Sequence, residues 1–159
     1  MKKFVLVALF AVAAFGLAFA TSTEGQFKVS GAVAEVFSLT VPGDFSGGSI
    51  SSTQESTWTI GNVVVNSNFS NWTISLSSQN GGSLANVNDA NVKIPYTATL
   101  GTLLNAVSLS GVQTSQAQSK TPRAGTTLAL SLKIPAAQSD AQYQAGNYSD
   151  TIKVTLTHN

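Results

Sequence analysis

Seven carboxylates, Glu24, Glu35, Asp44, Glu55, Asp89, Asp140 and Asp150, are the residues best equipped for acid–base chemistry, and they stand singly along the chain. A glycosidase needs two of them across a cleft, and linear spacing leaves such a pair open. The partners of other chemistries are missing. There is no cysteine and one histidine, His158, which excludes thiol chemistry, disulfides and a zinc site built on Cys or several His. His158 stands where a terminus is expected to fray, which counts against it as a general base. No nucleophile elbow, phosphate-cradling glycine loop or paired-His motif occurs. Asn86, Asn88, Asp89 and Asn91 gather oxygen donors, but without the acidic count or the glycine of a calcium loop, so a turn is the better reading. Stacking on sugar is the last candidate chemistry. Trp58, Trp72 and Tyr96 lie on apolar-alternating runs and read as core, which leaves Tyr143, between Gln142 and Gln144, as the aromatic singled out for ligand contact. No catalytic residue, metal site or cofactor is expected, and the chain reads as a non-enzyme.

Charge narrows the partners. Only 9% of the 159 residues are charged. Lys2 and Lys3 precede an uncharged apolar run over residues 4–17, and Ala18-Phe19-Ala20 supplies the small residues that signal peptidase requires. Residues 1–20 are therefore expected to be a signal peptide of bacterial type, with residues 21–159 forming the mature domain. Such a chain is exported to the periplasm, the cell surface or the medium, and no transmembrane helix is expected in it. Without Lys2 and Lys3, six basic residues face seven acidic ones, a net charge of −1. That excludes a nucleic-acid binder working through phosphate neutralisation.

The elements that would position any site are strands. Residues 21–159 hold 38 Ser and Thr, 11 Asn and 9 Gln, a composition suited to solvent-facing strand positions and turns. Apolar residues recur at every second position: Leu128, Leu130, Leu132 and Ile134; Ile152, Val154 and Leu156; Val92, Ile94, Tyr96, Ala98 and Leu100; Trp72, Ile74 and Leu76. Trp58 and Ile60 begin another ladder, whose phase breaks at Gly61-Asn62 before Val63, Val64 and Val65, which predicts a bulge or bend at the glycine. Residues 36–41 form a further extended stretch, and Phe27, Val29 and Val33 alternate near the front. Turn residues such as Gln79-Asn80-Gly81-Gly82 and Ala145-Gly146-Asn147 separate the runs. Residues 112–124 read as a long loop. No helical periodicity occurs, and the expectation is one all-β domain, an Ig-like antiparallel β-sandwich.

The stretch Ala145-Gly146-Asn147-Tyr148-Ser149-Asp150-Thr151-Ile152-Lys153-Val154-Thr155-Leu156 resembles the end of spore coat protein U-like and archaic chaperone–usher pilin domains. More loosely, the resemblance extends to Ile94-Pro95-Tyr96 and to Phe37-Ser38-Leu39-Thr40-Val41. It implies a pilin-like β-sandwich and a structural or adhesive role at the cell surface. The cysteine pair common in those pilins is absent here. On physical grounds Gly146 can make the turn before the last strand, Tyr148 can bury its ring while its hydroxyl reaches a loop backbone group, and Asp150 can accept bonds from turn amides.

In such pilin domains a neighbour's N-terminal extension completes the sandwich by strand addition. The donor would be Phe27, Val29, Gly31 and Val33, giving self-association or joining to other surface proteins. The competing arrangement has the same residues close their own sandwich, and the missing cysteines tilt the sequence reading towards that closed form. The alternative function is a secreted or periplasmic carbohydrate-binding module, which would require an exposed planar row of aromatics. An outer-membrane barrel is disfavoured, because aromatic girdles are absent.

Overall fold

Alternation decides the strands. In Thr126–Ile134 the side chains of Leu128, Leu130, Leu132 and Ile134 are buried while Thr127, Ala129 and Lys133 face out. That is the pattern a pleated chain with one apolar face must show. Each such burial contributes about 1.5–3 kcal/mol. The structure, a computed structural model, describes residues 23–138 and 142–158. The signal peptide expected over residues 1–20 lies outside the described residues. The chain divides into two units, residues 1–32 and 33–159. In the first, residues 23–32 carry no strand or helix, and Phe27 and Val29 are 87% and 81% exposed.

All strands of the described residues belong to the second unit: β1 (Phe37–Thr40), β2 (Ser56–Ser67), β3 (Thr73–Ser78), β4 (Ser83–Asn86), β5 (Lys93–Pro95), β6 (Thr97–Leu100), β7 (Leu104–Ser108), β8 (Gln113–Thr114), β9 (Thr126–Ile134), β10 (Tyr148–Ser149) and β11 (Ile152–Thr157). Every pairing is antiparallel. One layer is the five-stranded sheet β1-β2-β9-β6-β7. The other consists of two three-stranded sheets, β10-β4-β5 and β11-β3-β8. These two follow one another along the same pair of strands: Tyr148 and Ser149 face Asn86 and Ala85, and Ile152 to Thr157 face Ser78 to Thr73. Between them the chain joining β3 to β4 makes an excursion at residues 79–82, and Asp150-Thr151 separates β10 from β11. The Gln79 amide donates to the Thr151 carbonyl at 2.9 Å across the gap.

The core lies between the layers. Val63, Val65, Leu128, Leu130 and Leu132 of the five-stranded sheet meet Ile74, Leu76, Leu84 and Ile94 of the other. This is the all-β antiparallel sandwich that the alternation predicts. Trp72 and Tyr96 are each 2% exposed, and the Trp72 indole donates to the Ser119 carbonyl at 2.6 Å. The bulge expected at Gly61 is present: the β2–β9 register slips between Thr59 and Gly61, where Gly61 adopts a φ of 148°.

Three local expectations change. Residues 92–100, which alternate as one ladder, form two strands: β5 pairs with β4 in one layer, and β6 pairs with β9 and β7 in the other. Pro95 and Tyr96 make the crossing, and the Tyr96 amide donates to the Gly82 carbonyl at 3.0 Å. The stretch 112–124 contains β8 and a bridge from Gln118 to Trp72. No strand forms over Phe27, Val29, Gly31 and Val33, and Val33 is 88% exposed. Alternation gives that segment an apolar face, but a strand also needs a partner, and none of the described residues of the same copy pairs with it.

Candidate functional site

An apolar slot runs along one side of the sandwich, with a volume of 340 Å³. Trp58 and Ile60 of β2, Leu130 and Leu132 of β9, and Ile152 and Val154 of β11 line it, with Asp44 and Asp150 among its polar groups. Strand pairing explains why it is open. Among the described residues, β1 covers β2 only from Val64 to Ser67, and the stretch from Ser56 to Val63 pairs with β9 alone. β11 is likewise an edge, paired with β3 alone. Two strand edges without strand partners among the described residues thus flank an apolar floor. Such an arrangement offers main-chain donors and acceptors to an extended chain, and side-chain space to its alternate residues.

Residues 41–45, which follow β1, complete the lining of the slot. Pro42 packs on Gly61, where a Cβ would stand 2.7 Å from the Pro42 Cβ. The Phe45 ring lies 5.6 Å from Trp58, tilted by 36°. The indole rests on Gly48, a contact that leaves no room for a Cβ there, and donates to the Ser49 carbonyl at 3.0 Å.

Asp150 sits at the break between β10 and β11 and accepts from four donors. Its Oδ1 takes the Asn80 amide at 3.0 Å and the Thr151 amide at 2.7 Å. Its Oδ2 takes the Ser78 hydroxyl at 2.5 Å and the Tyr96 hydroxyl at 2.6 Å. Burial, reinforced by the bond to Asp150, pushes the Tyr96 phenol well above its ordinary value of 10.0. The Tyr148 hydroxyl donates to the Gln144 carbonyl at 2.6 Å while its ring packs against the core. Gly146 has a φ of 152°, and a Cβ on it would lie 2.5 Å from Nδ2 of the buried Asn86. Each partner in this corner holds a backbone or another side chain, while Tyr148, Ser149 and Asp150 also line the slot.

Tyr143 is half-buried. Its hydroxyl donates to the Pro135 carbonyl at 2.9 Å, its amide donates to Ser52 Oγ at 3.0 Å, and burial raises its phenol. The Asn-rich stretch turns its oxygens on its own backbone: Asn86 Oδ1 accepts from the Asn88 amide and Asp89 Oδ1 from the Asn91 amide. Glu55 pairs with Lys133 at 2.9 Å on the surface, and Asp140 lies outside the described residues. Among the described residues, no three His, Asp or Glu side chains converge as a metal site would need, and no helix is long and apolar enough to cross a membrane. His158 is packed between two aromatic rings. It stacks on Phe69 with centroids 4.0 Å and planes 13° apart, and meets Phe37 edge-on at 4.5 Å.

Neither the slot nor the Ser78 and Tyr96 bonds to Asp150 shows in the order of the residues. Unpaired edges leave no trace in alternation. The signal for the second was available, since a tyrosine on a core ladder must place its hydroxyl somewhere. No protein-family model matches the chain, and no curated protein matches it.

Proposed function

We propose that this protein is a non-enzymatic, exported subunit of a cell-surface structure, coat- or pilin-like, whose copies join by strand addition. One observation carries the reading: the apolar slot lies between the unpartnered half of β2 and the unpartnered edge of β11. The donor is the segment holding Phe27, Val29, Gly31 and Val33 from a second copy. Extended, residues 27–33 span roughly 23 Å, comparable with the six-residue β11 beside which they would lie. Their exposed apolar side chains alternate, as the slot's floor requires. Aromatic placement favours assembly over sugar binding, because Trp72 and Tyr96 are buried and Trp58 faces Phe45 instead of forming an exposed row.

Sedimentation velocity tests the reading. The full chain should form polymers whose size grows with concentration, and Phe27→Asp with Val29→Asp should remain monomeric with an unchanged melting temperature. A full chain that stays monomeric at every concentration, or polymers that persist in the double variant, would overturn it. Retention on a glycan array that Trp58→Ala abolishes would instead support the carbohydrate-binding alternative.

A further inference from the structure

We infer that segment 41–50 is a displaceable strap that occupies the mouth of the slot in a free copy and must swing away before a strand can enter. The inference rests on the strand-addition reading above and concerns what regulates that site.

The strap lies where β2 lacks an outer partner, yet it forms no strand there. Its hold consists of side-chain contacts, Pro42 on Gly61, Phe45 on Trp58 and the indole on Gly48, together with the indole bond to Ser49. Val41 and Phe45 remain 49% and 40% exposed, so the strap is only partly seated. Both its ends are anchored. Thr40 pairs with Val64, and Ile50 packs against the core, so the residues between can move without unravelling either layer.

An incoming extended chain of alternating apolar residues offers what the strap does not: backbone groups for β2 on one side and for β11 on the other. The free copy therefore hides an aggregation-prone edge, and only a segment able to pair with both edges outcompetes the cover. Apparent affinity is reduced by the fraction of molecules in which the strap is closed.

The test uses the full chain with Phe27→Asp and Val29→Asp, which removes the protein's own donor, and a fluorescent peptide carrying residues 26–34. Fluorescence anisotropy compares this parent with versions that also carry Phe45→Ala, Gly48→Ala or Val87→Ala. Phe45→Ala removes the clamp on Trp58, Gly48→Ala drives a Cβ into the indole, and Val87 lies outside the slot. Both strap variants should bind roughly tenfold more tightly than the parent, and Val87→Ala should match it. Acrylamide should also quench Trp58 more strongly in both strap variants before peptide is added, against a background from buried Trp72 that does not change. Equal binding in all four proteins, or unchanged quenching, overturns the strap while leaving the slot as an acceptor. No binding to any of the four overturns the acceptor reading and the strap with it.

Discussion

The Tyr96 hydroxyl reaches the Asp150 carboxylate at 2.6 Å, and in doing so ties the point where the chain changes layers to the break between β10 and β11. Asp150 is also where the excursion at residues 79–82 is held, through Ser78 and Asn80. One carboxylate thus fixes three departures from regular sheet.

Tyr96→Phe should destabilise the fold by about 1–3 kcal/mol, the cost of leaving a partly buried polar atom short of a partner. Asp150→Ala should cost more, because four donors lose their acceptor. Urea unfolding checks both: the midpoint should fall while the slope with denaturant stays constant. A midpoint within error of wild type for Asp150→Ala would deny the corner any structural weight.

Alkali should act on the same contact. An unfolded tyrosine ionises near 10.0, whereas Tyr96 in the fold holds its proton to higher pH. The unfolded state therefore loses a proton that the native state keeps, and stability, complete below pH 10, falls as pH rises through the raised value. One such group contributes a slope of at most about 1.4 kcal/mol per pH unit. Tyr96→Phe should show a shallower decline between pH 10 and 12, followed by urea unfolding at each pH. Parallel declines in the two proteins would assign the effect elsewhere.

Trp72→Ala should cost about 3–5 kcal/mol, since it empties a large buried volume. Trp72→Phe keeps most of the packing and loses the bond to Ser119, a cost of about 1–2 kcal/mol. Thermal unfolding ranks the two. An unchanged melting temperature in Trp72→Ala, coupled to lost glycan binding, would move the indole from core to ligand site.

Gly146→Ala meets two obstacles, a backbone angle that suits glycine and the amide of Asn86 at 2.5 Å. We expect a loss of about 2–3 kcal/mol, of which roughly 1–2 kcal/mol is backbone strain. In an Asn86→Ala background the steric part should vanish, so the double variant should lose less stability than the sum of the two single losses. Strict additivity would mean that the two residues do not touch.

Much of this architecture is legible in the residues themselves. Leu128, Leu130, Leu132 and Ile134 announce their buried face, and the phase break at Gly61 announces its bulge. The same alternation conceals the crossing at Tyr96. Ile94, Tyr96 and Ala98 all point into the space between the layers, so the period continues while the pairing partner changes. Alternation reports which side of a strand is dry and says nothing of its neighbours. For that reason the slot was not legible, nor was it legible that Phe27, Val29 and Val33 find no strand partner among the described residues of their own copy. His158 failed differently: its place near the end of the chain says nothing about Phe37 and Phe69, which arrive from β1 and the loop after β2.

The pairing of β2 with β9 has a kinetic consequence. Its register joins Ser56 to Ile134 and Val65 to Thr126, so between 60 and 77 residues separate the paired partners. Closing so long a loop precedes any reward from the sheet, and folds dominated by such pairings form in milliseconds to seconds. Throughout that interval Val63, Val65, Leu128 and Leu130 stay wet, on a chain with only 9% charged residues to keep molecules apart. Refolding yield should therefore fall steeply with protein concentration, because collision with another unfolded copy competes with the slow meeting of β2 and β9.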